Sequence, residues 1–231
     1  MKFKKEIAIL FLILFLAGFL RFWQLGQVPP SPDWDEAALG YNAYSIMTTG
    51  KDEYGTRFPL ILRSFDDYKP GIYVYLTMLP IKIFGLNVFA VRFPSALLGT
   101  LAVLLTYLLV KELFRNSLDA RRYSLIAAFL LAISPWHLQF SRIAFESNVG
   151  MFFNILVALL FLKGLKKPLF LLVAAFFAGL NIYVYQAEKV FTPLLVMVLF
   201  LIFRKEILNI GRKYLFSAIS VGLLLILPFF Y

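Results

Sequence analysis

The sequence predicts an all-α integral membrane protein, and three observations lead to this fold class. Hydrophobic residues make up 61% of the 231 residues and charged residues only 16%, a composition that leaves too little polar surface for a soluble core. The apolar residues form long continuous runs, and the basic residues cluster between those runs. An α-helix crosses a bilayer with roughly 17 to 25 apolar residues, whereas a β-barrel strand needs about 10 alternating ones.

Residue content also limits the function. The chain has no cysteine, which excludes thiol catalysis, disulfides and cysteine-held metal. Because His137 is the single histidine, a metal held within this chain would depend mainly on carboxylates. A formal net charge of +10 suggests nucleic acid in a soluble domain, but in a membrane protein basic residues mark cytoplasmic loops. We therefore expect membrane lipids, and no nucleic acid, as partners.

The first apolar run covers residues 7 to 23 and follows the charged stretch "MKFKKE". It continues into Arg21 and Trp23 without a clear small-x-small cleavage site, which favours a retained signal anchor over a cleaved signal peptide. Seven further apolar segments follow, at residues 70–86, 91–111, 122–138, 149–164, 168–186, 190–203 and 214–230.

The distribution of Lys and Arg indicates that one of the eight segments does not cross. If residues 70–86 spanned the membrane, the basic residues of 111–122 would lie opposite the amino-terminal lysines, against the positive-inside rule. If that segment lies in the interface, one side receives fourteen of the 23 basic residues, in clusters at 2–5, 111–122, 163–167 and 204–213. The sequence thus predicts about seven transmembrane helices with a cytoplasmic amino terminus.

The segment at 70–86 has other properties of an interfacial helix. It is short, contains Pro80 and Lys82, and is rich in tyrosine, which favours the headgroup level. We expect two such helices in the long first outer loop, one over roughly 34–48 and one over roughly 70–84, closed by Gly50 and Gly85 respectively. No internal repeat or separate soluble domain is visible, so residues 1–231 are predicted to form one domain.

On this topology, polar residues from four separate stretches of the outer loops meet near the outer surface. An outer site between helix ends, with acids and bases together, suits chemistry on a charged substrate delivered from lipid. The residues are Asp33, Asp35 and Glu36, then Asp66, Asp67 and Lys69, then Arg142 and Glu146, and finally Gln186, Glu188 and Lys189.

Each of these residues also has a purely structural interpretation. Asp33 can cap the helix that starts at Trp34, with Asp35 and Glu36 complementing its positive end. Arg142 and Glu146 are four residues apart and can form a helical salt bridge. For the remainder, Lys69 can extend along lipid to the headgroups, His137 can lie in the interface, and Glu188 and Lys189 can form a solvated turn.

Four motifs in order resemble the amino-terminal half of one superfamily. After the first span come Asp35-Glu36, "YKPGIYVYL", "GLNVFAVRFPSALLGTLAVLLTYLLVKELF" and "ISPWHLQFSRIAFESNVGMFF". Together they resemble the dolichyl-phosphate-mannose protein mannosyltransferase and lipid A aminoarabinose transferase superfamily, which has the GT-C fold. The resemblance covers almost the whole chain. The superfamily's chains continue through further spans, so the domain is expected to be incomplete at its carboxy terminus.

The resemblance implies an inverting glycosyltransferase of the outer membrane face, which takes a sugar from a polyprenyl-phosphate carrier. It implies that Asp35 is a catalytic residue that acts as general base toward the acceptor hydroxyl or orients it, with Glu36 as its adjoining catalytic partner. It also implies that Lys69 and Arg142 bind the carrier phosphate. Glu146 or Asp67 would be a second acid. The aminoarabinose branch has an acid immediately before the lysine, where this chain has Tyr68, so a divalent metal is left open. No nucleotide-binding fingerprint is present.

Two other functions compete with the enzyme. A transporter or flippase for a lipid-linked anion would also use intramembrane charges, although the predicted midspan positions here are almost free of charge and no repeat is visible. An inactive membrane scaffold is the third alternative. The expected location is the plasma membrane as a multi-pass protein, and the acceptor, whether protein, lipid A or glycan, is not specified by the sequence.

Overall fold

The structure is a computed structural model that describes residues 2–64 and 67–227. The described residues form eleven helices and one two-stranded β-hairpin. In chain order they are α1 (Lys2–Phe22), α2 (Trp34–Thr49), β1 (Ile61–Ser64), β2 (Asp67–Pro70), α3 (Ile72–Phe84), α4 (Val88–Leu113), α5 (Ala120–Ile133), α6 (Pro135–Ser141), α7 (Glu146–Gly164), α8 (Leu169–Asn181), α9 (Glu188–Ile202), α10 (Arg204–Leu208) and α11 (Arg212–Ile226).

Both helices predicted for the first outer loop are present. Asp33 caps α2 through a capping box with Glu36, and α2 ends at Gly50 in the left-handed region, with φ 71°. The capping role proposed for Asp33 is therefore confirmed. Helix α3 contains Pro80 and ends at Gly85.

The β-hairpin between α2 and α3 was not predicted. Its strands pair antiparallel, with Leu62 opposite Lys69 and Ser64 opposite Asp67. The alternation of the strand places Asp67 and Lys69 on one face of β2. Lys69 is thus held by a ladder of backbone hydrogen bonds.

The helices pack around α4 and α7. Helix α4 contacts α1, α3, α5, α6 and α7, while α7 also packs on α8, and α8 on α11. One apolar core joins α2, α3, α4 and α7 through residues such as Leu39, Tyr73, Val91 and Val149. A second joins α1, α4 and α5, and a third lies where α7 and α8 meet α10 and α11. The first core supports the outer-loop elements directly.

Ion pairs bring the basic clusters to one end of this bundle. Glu6 of α1 accepts a hydrogen bond from Lys111 at the end of α4 (Nζ to Oε1, 2.7 Å) and pairs with Arg121 at the start of α5. Lys166, between α7 and α8, reaches Glu112 at 2.8 Å. The predicted gathering of basic residues on one side is therefore reflected in the packing.

Both ends of α3 lie at the opposite end of the bundle. Lys69, just before α3, contacts Asp35 of α2, and the backbone N–H of Ile72 donates to the carbonyl of Tyr183 at 3.1 Å. At its other end, α3 is joined to the start of α4 by residues 85–87. Because α3 begins and ends at the same end of the bundle, its geometry matches the non-crossing segment that the charges predict. Its position in a headgroup layer remains a prediction.

Length and composition identify fewer spans than predicted. Among the described residues, α4 and α7 are long and apolar enough to cross a membrane, and α5 with α6 forms a third candidate if this pair, bent by 61°, counts as one. Helix α1 has 21 residues, but charged residues lie near both of its ends. Helices α8, α9 and α11 have only 13, 15 and 15 residues. The predicted segment 214–230 extends beyond the described residues, and the seven-span topology stays a prediction.

A buried ion pair joins α2 to α4 and to the segment after α1. Arg92 donates to both carboxylate oxygens of Glu36 at 2.8 Å, and neither side chain is more than 5% exposed. The same guanidinium donates to the carbonyls of Leu25, Pro29 and Ser31. Glu36 Oε1 also accepts a hydrogen bond from the backbone N–H of Ala144, at 2.7 Å. Four separate segments therefore converge on this pair.

His137 lies in the core and not in the interface, so that prediction was wrong. Arg21, which is fully buried, donates to His137 Nδ1 at 2.7 Å and to the carbonyls of Ala17, Leu131 and Ala132. These carbonyls belong to the carboxyl-terminal turns of α1 and α5, where a cation is favourable. The imidazole accepts from a permanent cation, which fixes it as the neutral tautomer with its proton on Nε2.

The topology can be checked by cysteine labelling, because the chain has no cysteine of its own. Ser117 and Thr56 are both exposed, and we predict that they face opposite sides of the membrane. In intact cells, a membrane-impermeant maleimide is expected to label Thr56→Cys and to leave Ser117→Cys unlabelled until the membrane is opened. Labelling of Ser117→Cys from outside would contradict the predicted orientation.

We also predict that the Glu36–Arg92 pair dominates the stability of the outer end. Arg92→Met leaves a buried carboxylate without its cation, a change that costs about 3 to 5 kcal/mol. Thermal unfolding of the purified protein in detergent is expected to show a large loss of stability for Arg92→Met and little loss for Lys82→Met, which removes an exposed lysine of α3. The double variant Glu36→Gln/Arg92→Met is expected to lose less than the sum of the single variants; strictly additive losses would contradict the coupling.

Candidate active site

The centre of the candidate site is an ion pair between Lys69 and Asp35. The Lys69 ammonium donates to Asp35 Oδ1, and the two residues come from β2 and the first turn of α2. Their side chains are 19% and 36% exposed, so the pair is neither free in solvent nor closed to a ligand. The capping box of Asp33 and Glu36 sets the start of α2, and the hairpin sets Lys69. The structure thus brings together two predicted site residues that are 34 positions apart.

Glu146 is the third charged residue of this site. It is the first residue of α7 and is 5% exposed. Its carboxylate is close enough to interact electrostatically with Lys69, Asp35 and Asp33. The expected salt bridge between Glu146 and Arg142 is not among the ion pairs of the described residues, so that structural alternative was wrong. Glu146 instead lies within electrostatic range of the Asp35–Lys69 pair.

Two further predicted residues, Asp66 and Asp67, lie shortly before Lys69 in the sequence. Asp67 is exposed, and its carboxylate accepts the neighbouring backbone N–H of Tyr68 at 2.7 Å. It shares the Lys69 face of β2 but makes no described contact with Asp35 or Glu146. Asp66 lies outside the described residues. Asp67 is therefore available at the rim of the site.

Glu36 is predicted as a catalytic partner of Asp35, but its side chain points away from the Asp35–Lys69 pair. Both of its oxygens are bound by Arg92, and one also by the backbone of Ala144. Consecutive residues of a helix project in different directions. Of these two neighbouring acids, one is therefore partly exposed and the other is buried. No oxygen of Glu36 is left to accept a substrate proton.

Arg142 is likewise occupied by the protein. Its guanidinium donates to the carbonyls of Leu20 (2.6 Å), Arg21, Trp23 and Val28, the residues at and after the end of α1. Burial and the nearby charge of Arg92 lower the pKa of Arg142, although the guanidinium remains protonated. Predicted as a phosphate ligand, Arg142 satisfies carbonyls that α1 leaves without partners.

The turn between α8 and α9 contacts the strand that carries Lys69. Gln186 donates to the carbonyl of Tyr68, the residue before Lys69. Glu188 was expected to be solvated, but it is buried, and its Oε2 accepts from Asn154, Asn181 and Thr192 at 2.7 to 3.1 Å. These bonds tie the turn to α7 and α8. A side chain at Gly150 would collide with Glu188 Oε1 at 2.5 Å, so this approach requires a glycine.

No group of three or more His, Cys, Asp or Glu side chains that could hold a metal ion occurs among residues 2–64 and 67–227. In this part of the chain Lys69 pairs with Asp35, and Asp67, the described acid of the hairpin, is exposed to solvent. The described residues can therefore supply one ammonium and two or three carboxylates to a substrate. That set can bind a phosphate and accept a proton.

Sequence reasoning missed the role of Arg92. The residue stands near the start of an apolar run, and a charged residue at such a position is expected to have a buried partner. That signal was present in "GLNVFAVRFPSALLGT" but did not identify Glu36 as the partner. The buried hydroxyl of Ser64 was also missed, because nothing in its sequence context separates it from a surface serine.

Comparison with known proteins agrees with this architecture. A family model described as "Dolichyl-phosphate-mannose-protein mannosyltransferase" matches residues 68–231. A Bacillus subtilis (strain 168) protein described as "Putative mannosyltransferase YkcB" is 28% identical over 207 residues, which are 85% of this chain and 27% of that protein. The family match begins at Tyr68, and so includes Lys69 but not α2.

Solved structures extend the comparison to α2. The oligosaccharyltransferase of Archaeoglobus fulgidus, in its apo form, superposes with a TM-score of 0.71 at 21% identity over 97% of this chain and 29% of its own. The complex of the Archaeoglobus fulgidus oligosaccharyltransferase AglB with an inhibitory peptide and a dolichol-phosphate gives the same TM-score at 22% identity, over 98% of this chain and 30% of its own. This chain thus spans about three tenths of the length of these proteins. The chain belongs to the dolichyl-phosphate-mannose-protein mannosyltransferase family of glycosyltransferases and has the GT-C fold.

Proposed function

We propose that this chain contributes the catalytic base and the phosphate-binding lysine of a polyprenyl-phosphate-sugar glycosyltransferase that acts at the outer face of the plasma membrane. The observation that supports this most directly is the Asp35–Lys69 ion pair, which is partly exposed beside the buried Glu146. AglB was solved with a dolichol-phosphate and a peptide, which supports a lipid phosphate as the carrier and a protein or glycan as the acceptor.

In this proposal the lipid phosphate replaces Asp35 as the partner of Lys69. One ion pair is exchanged for another, so the ammonium does not lose its counter-charge at any stage. The polyprenyl chain stays in lipid, and the sugar enters between the separated carboxylate and ammonium. Because Lys69 is fixed by the hairpin and Asp35 by the capped start of α2, the two groups are positioned before the substrate arrives.

Transfer then requires one displacement at the anomeric carbon. The acceptor oxygen forms a bond to that carbon from the face opposite the phosphate, and the bond from carbon to phosphate oxygen breaks with its electron pair leaving on the polyprenyl phosphate. Asp35 takes the proton of the acceptor hydroxyl, and Lys69 stabilises the charge on the departing phosphate. Inversion follows from a single displacement.

Glu36 and Arg142 have supporting roles in this mechanism. Arg92 binds both oxygens of Glu36, and Arg142 donates to four carbonyls, so each side chain would have to give up existing hydrogen bonds to contact a substrate. Glu146 is buried within electrostatic range of Lys69 and Asp35. Asp67, exposed on the same strand face as Lys69, is placed to meet the substrate at the rim.

The catalytic role proposed for Asp35 is tested by removing its charge. In membranes from cells that express the natural gene product, Asp35→Asn is expected to reduce transfer from a radiolabelled polyprenyl-phosphate sugar by about 10²- to 10⁴-fold, the contribution of a general base. Asp119→Asn, which alters an exposed acid at the other end of the bundle, is expected to retain wild-type transfer. Normal membrane amounts of Asp35→Asn with unchanged transfer would exclude Asp35 from the chemistry and would favour a transporter or a scaffold.

Substitutions of Lys69 test whether this residue binds the carrier phosphate. Lys69→Met is expected to lower kcat/KM for the lipid donor by about 10²-fold, while Lys69→Arg keeps the charge and retains part of the activity. Lys51→Met, an exposed lysine of the same outer loop, serves as the control. If Lys69→Met leaves the donor KM and kcat unchanged, the lysine does not bind the carrier.

A further inference from the structure

A small cavity lies directly beside the Asp35–Lys69 pair. Its volume is about 10 Å³, which is room for about one water molecule or one hydroxyl group. The polar residues that line it are Asp35, Asn42, Ser64 and Lys69, and apolar side chains of α2, β1 and α3 form the rest. The cavity is thus too small for a phosphate or a sugar ring but large enough for a single substituent.

Ser64 lines this cavity and lacks a bonding partner among residues 2–64 and 67–227. The residue is 5% exposed, and its Oγ makes no hydrogen bond within that part of the chain. A buried hydroxyl without a partner costs about 1 to 3 kcal/mol. Asn42, in contrast, donates to the carbonyl of Ala38 and to Glu53, and accepts from the Glu53 backbone N–H. A polar group that enters the cavity and bonds to the Ser64 hydroxyl removes this free-energy cost.

The neighbouring charged groups match what a hydroxyl needs. An ammonium has three donors, and the described hydrogen bond of Lys69 uses one of them, to Asp35. A hydroxyl that enters the cavity can accept from Lys69 or Ser64 and donate to Ser64 or Asp35. An apolar substituent would leave the Ser64 hydroxyl without a partner and would give no hydrogen bond to Lys69 or Asp35. The cavity therefore selects for a hydroxyl.

We propose that this cavity binds the C2 hydroxyl of the donor sugar and that Ser64 recognises it. The inference rests on the proposed function, in which Lys69 binds the carrier phosphate. The anomeric carbon is attached to that phosphate, and C2 is its neighbour, so the C2 hydroxyl is the ring hydroxyl nearest to Lys69. Hydrogen bonds to this hydroxyl also strengthen as the glycosidic bond breaks.

The consequence is selectivity at C2. A site built to hydrogen-bond a hydroxyl rejects the analogue that lacks it, because the polar groups of the site are then left without partners. Mannose and glucose differ only in their configuration at C2. Ser64 is therefore a residue that contributes to the choice between them.

The test compares a polyprenyl-phosphate sugar that the natural gene product uses with its 2-deoxy counterpart. The measured quantity is the ratio of kcat/KM for the two donors, since the higher intrinsic reactivity of a 2-deoxy sugar then cancels between variants. Relative to wild type, Ser64→Ala is expected to shift this ratio by about 10-fold or more in favour of the 2-deoxy donor. Ser45→Ala removes an exposed hydroxyl that donates to the carbonyl of Lys51, and is expected to keep the wild-type ratio.

An unchanged ratio in active Ser64→Ala would overturn the C2 subsite while leaving the proposed function intact. Wild-type protein that uses no polyprenyl-phosphate sugar would overturn both. Ser64→Thr gives a second measurement, because it keeps the hydroxyl but adds a methyl group to a cavity of about 10 Å³. It is expected to lose transfer of the hydroxyl-bearing donor more than of the 2-deoxy donor; equal effects on both would also overturn the subsite.

Discussion

The arrangement of the outer end depends on the buried ion pair between Glu36 and Arg92. A buried charge is tolerated only with its partner and with its remaining bonds satisfied, and here α2, α4, the segment after α1 and the backbone of Ala144 all supply those bonds. The pair sets where α2 begins. Because Asp35 precedes Glu36 by one residue, the same constraint fixes the direction in which Asp35 projects, toward Lys69.

Arginines serve this end of the molecule by binding backbone carbonyls. Arg92 and Arg142 each donate to several carbonyls at or after the end of α1, and Arg21 donates to one carbonyl of α1 and to two at the end of α5. The guanidinium suits this role because it has five donors and stays protonated when buried. The lysine of the site has the opposite properties, since an ammonium on a flexible stem can exchange Asp35 for another anion. The arginines therefore support the fold, whereas the bond between Lys69 and Asp35 is one that another anion can replace.

Much of this molecule could be predicted from local signals. The capping residues identified both outer-loop helices, because a cap is a contact between near neighbours in sequence. The basic clusters predicted a common end, and ion pairs such as Lys166–Glu112 show that the chain folds that way. The hairpin was missed because each strand has only four residues and no strong turn signal, and its pairing depends on the helices beneath it.

The sequence by itself determined the membrane class, the outer-loop helices and the set of charged residues that can meet at one end. Only the tertiary structure decided which of those charged side chains stay accessible and which are buried. Asp35 and Glu36 have the same chemistry and adjacent positions, yet one is exposed and the other is bound by Arg92. The physical reason is that burial and hydrogen-bond partners come from residues far away in sequence, and these decide whether a carboxylate supports the fold or remains available for chemistry.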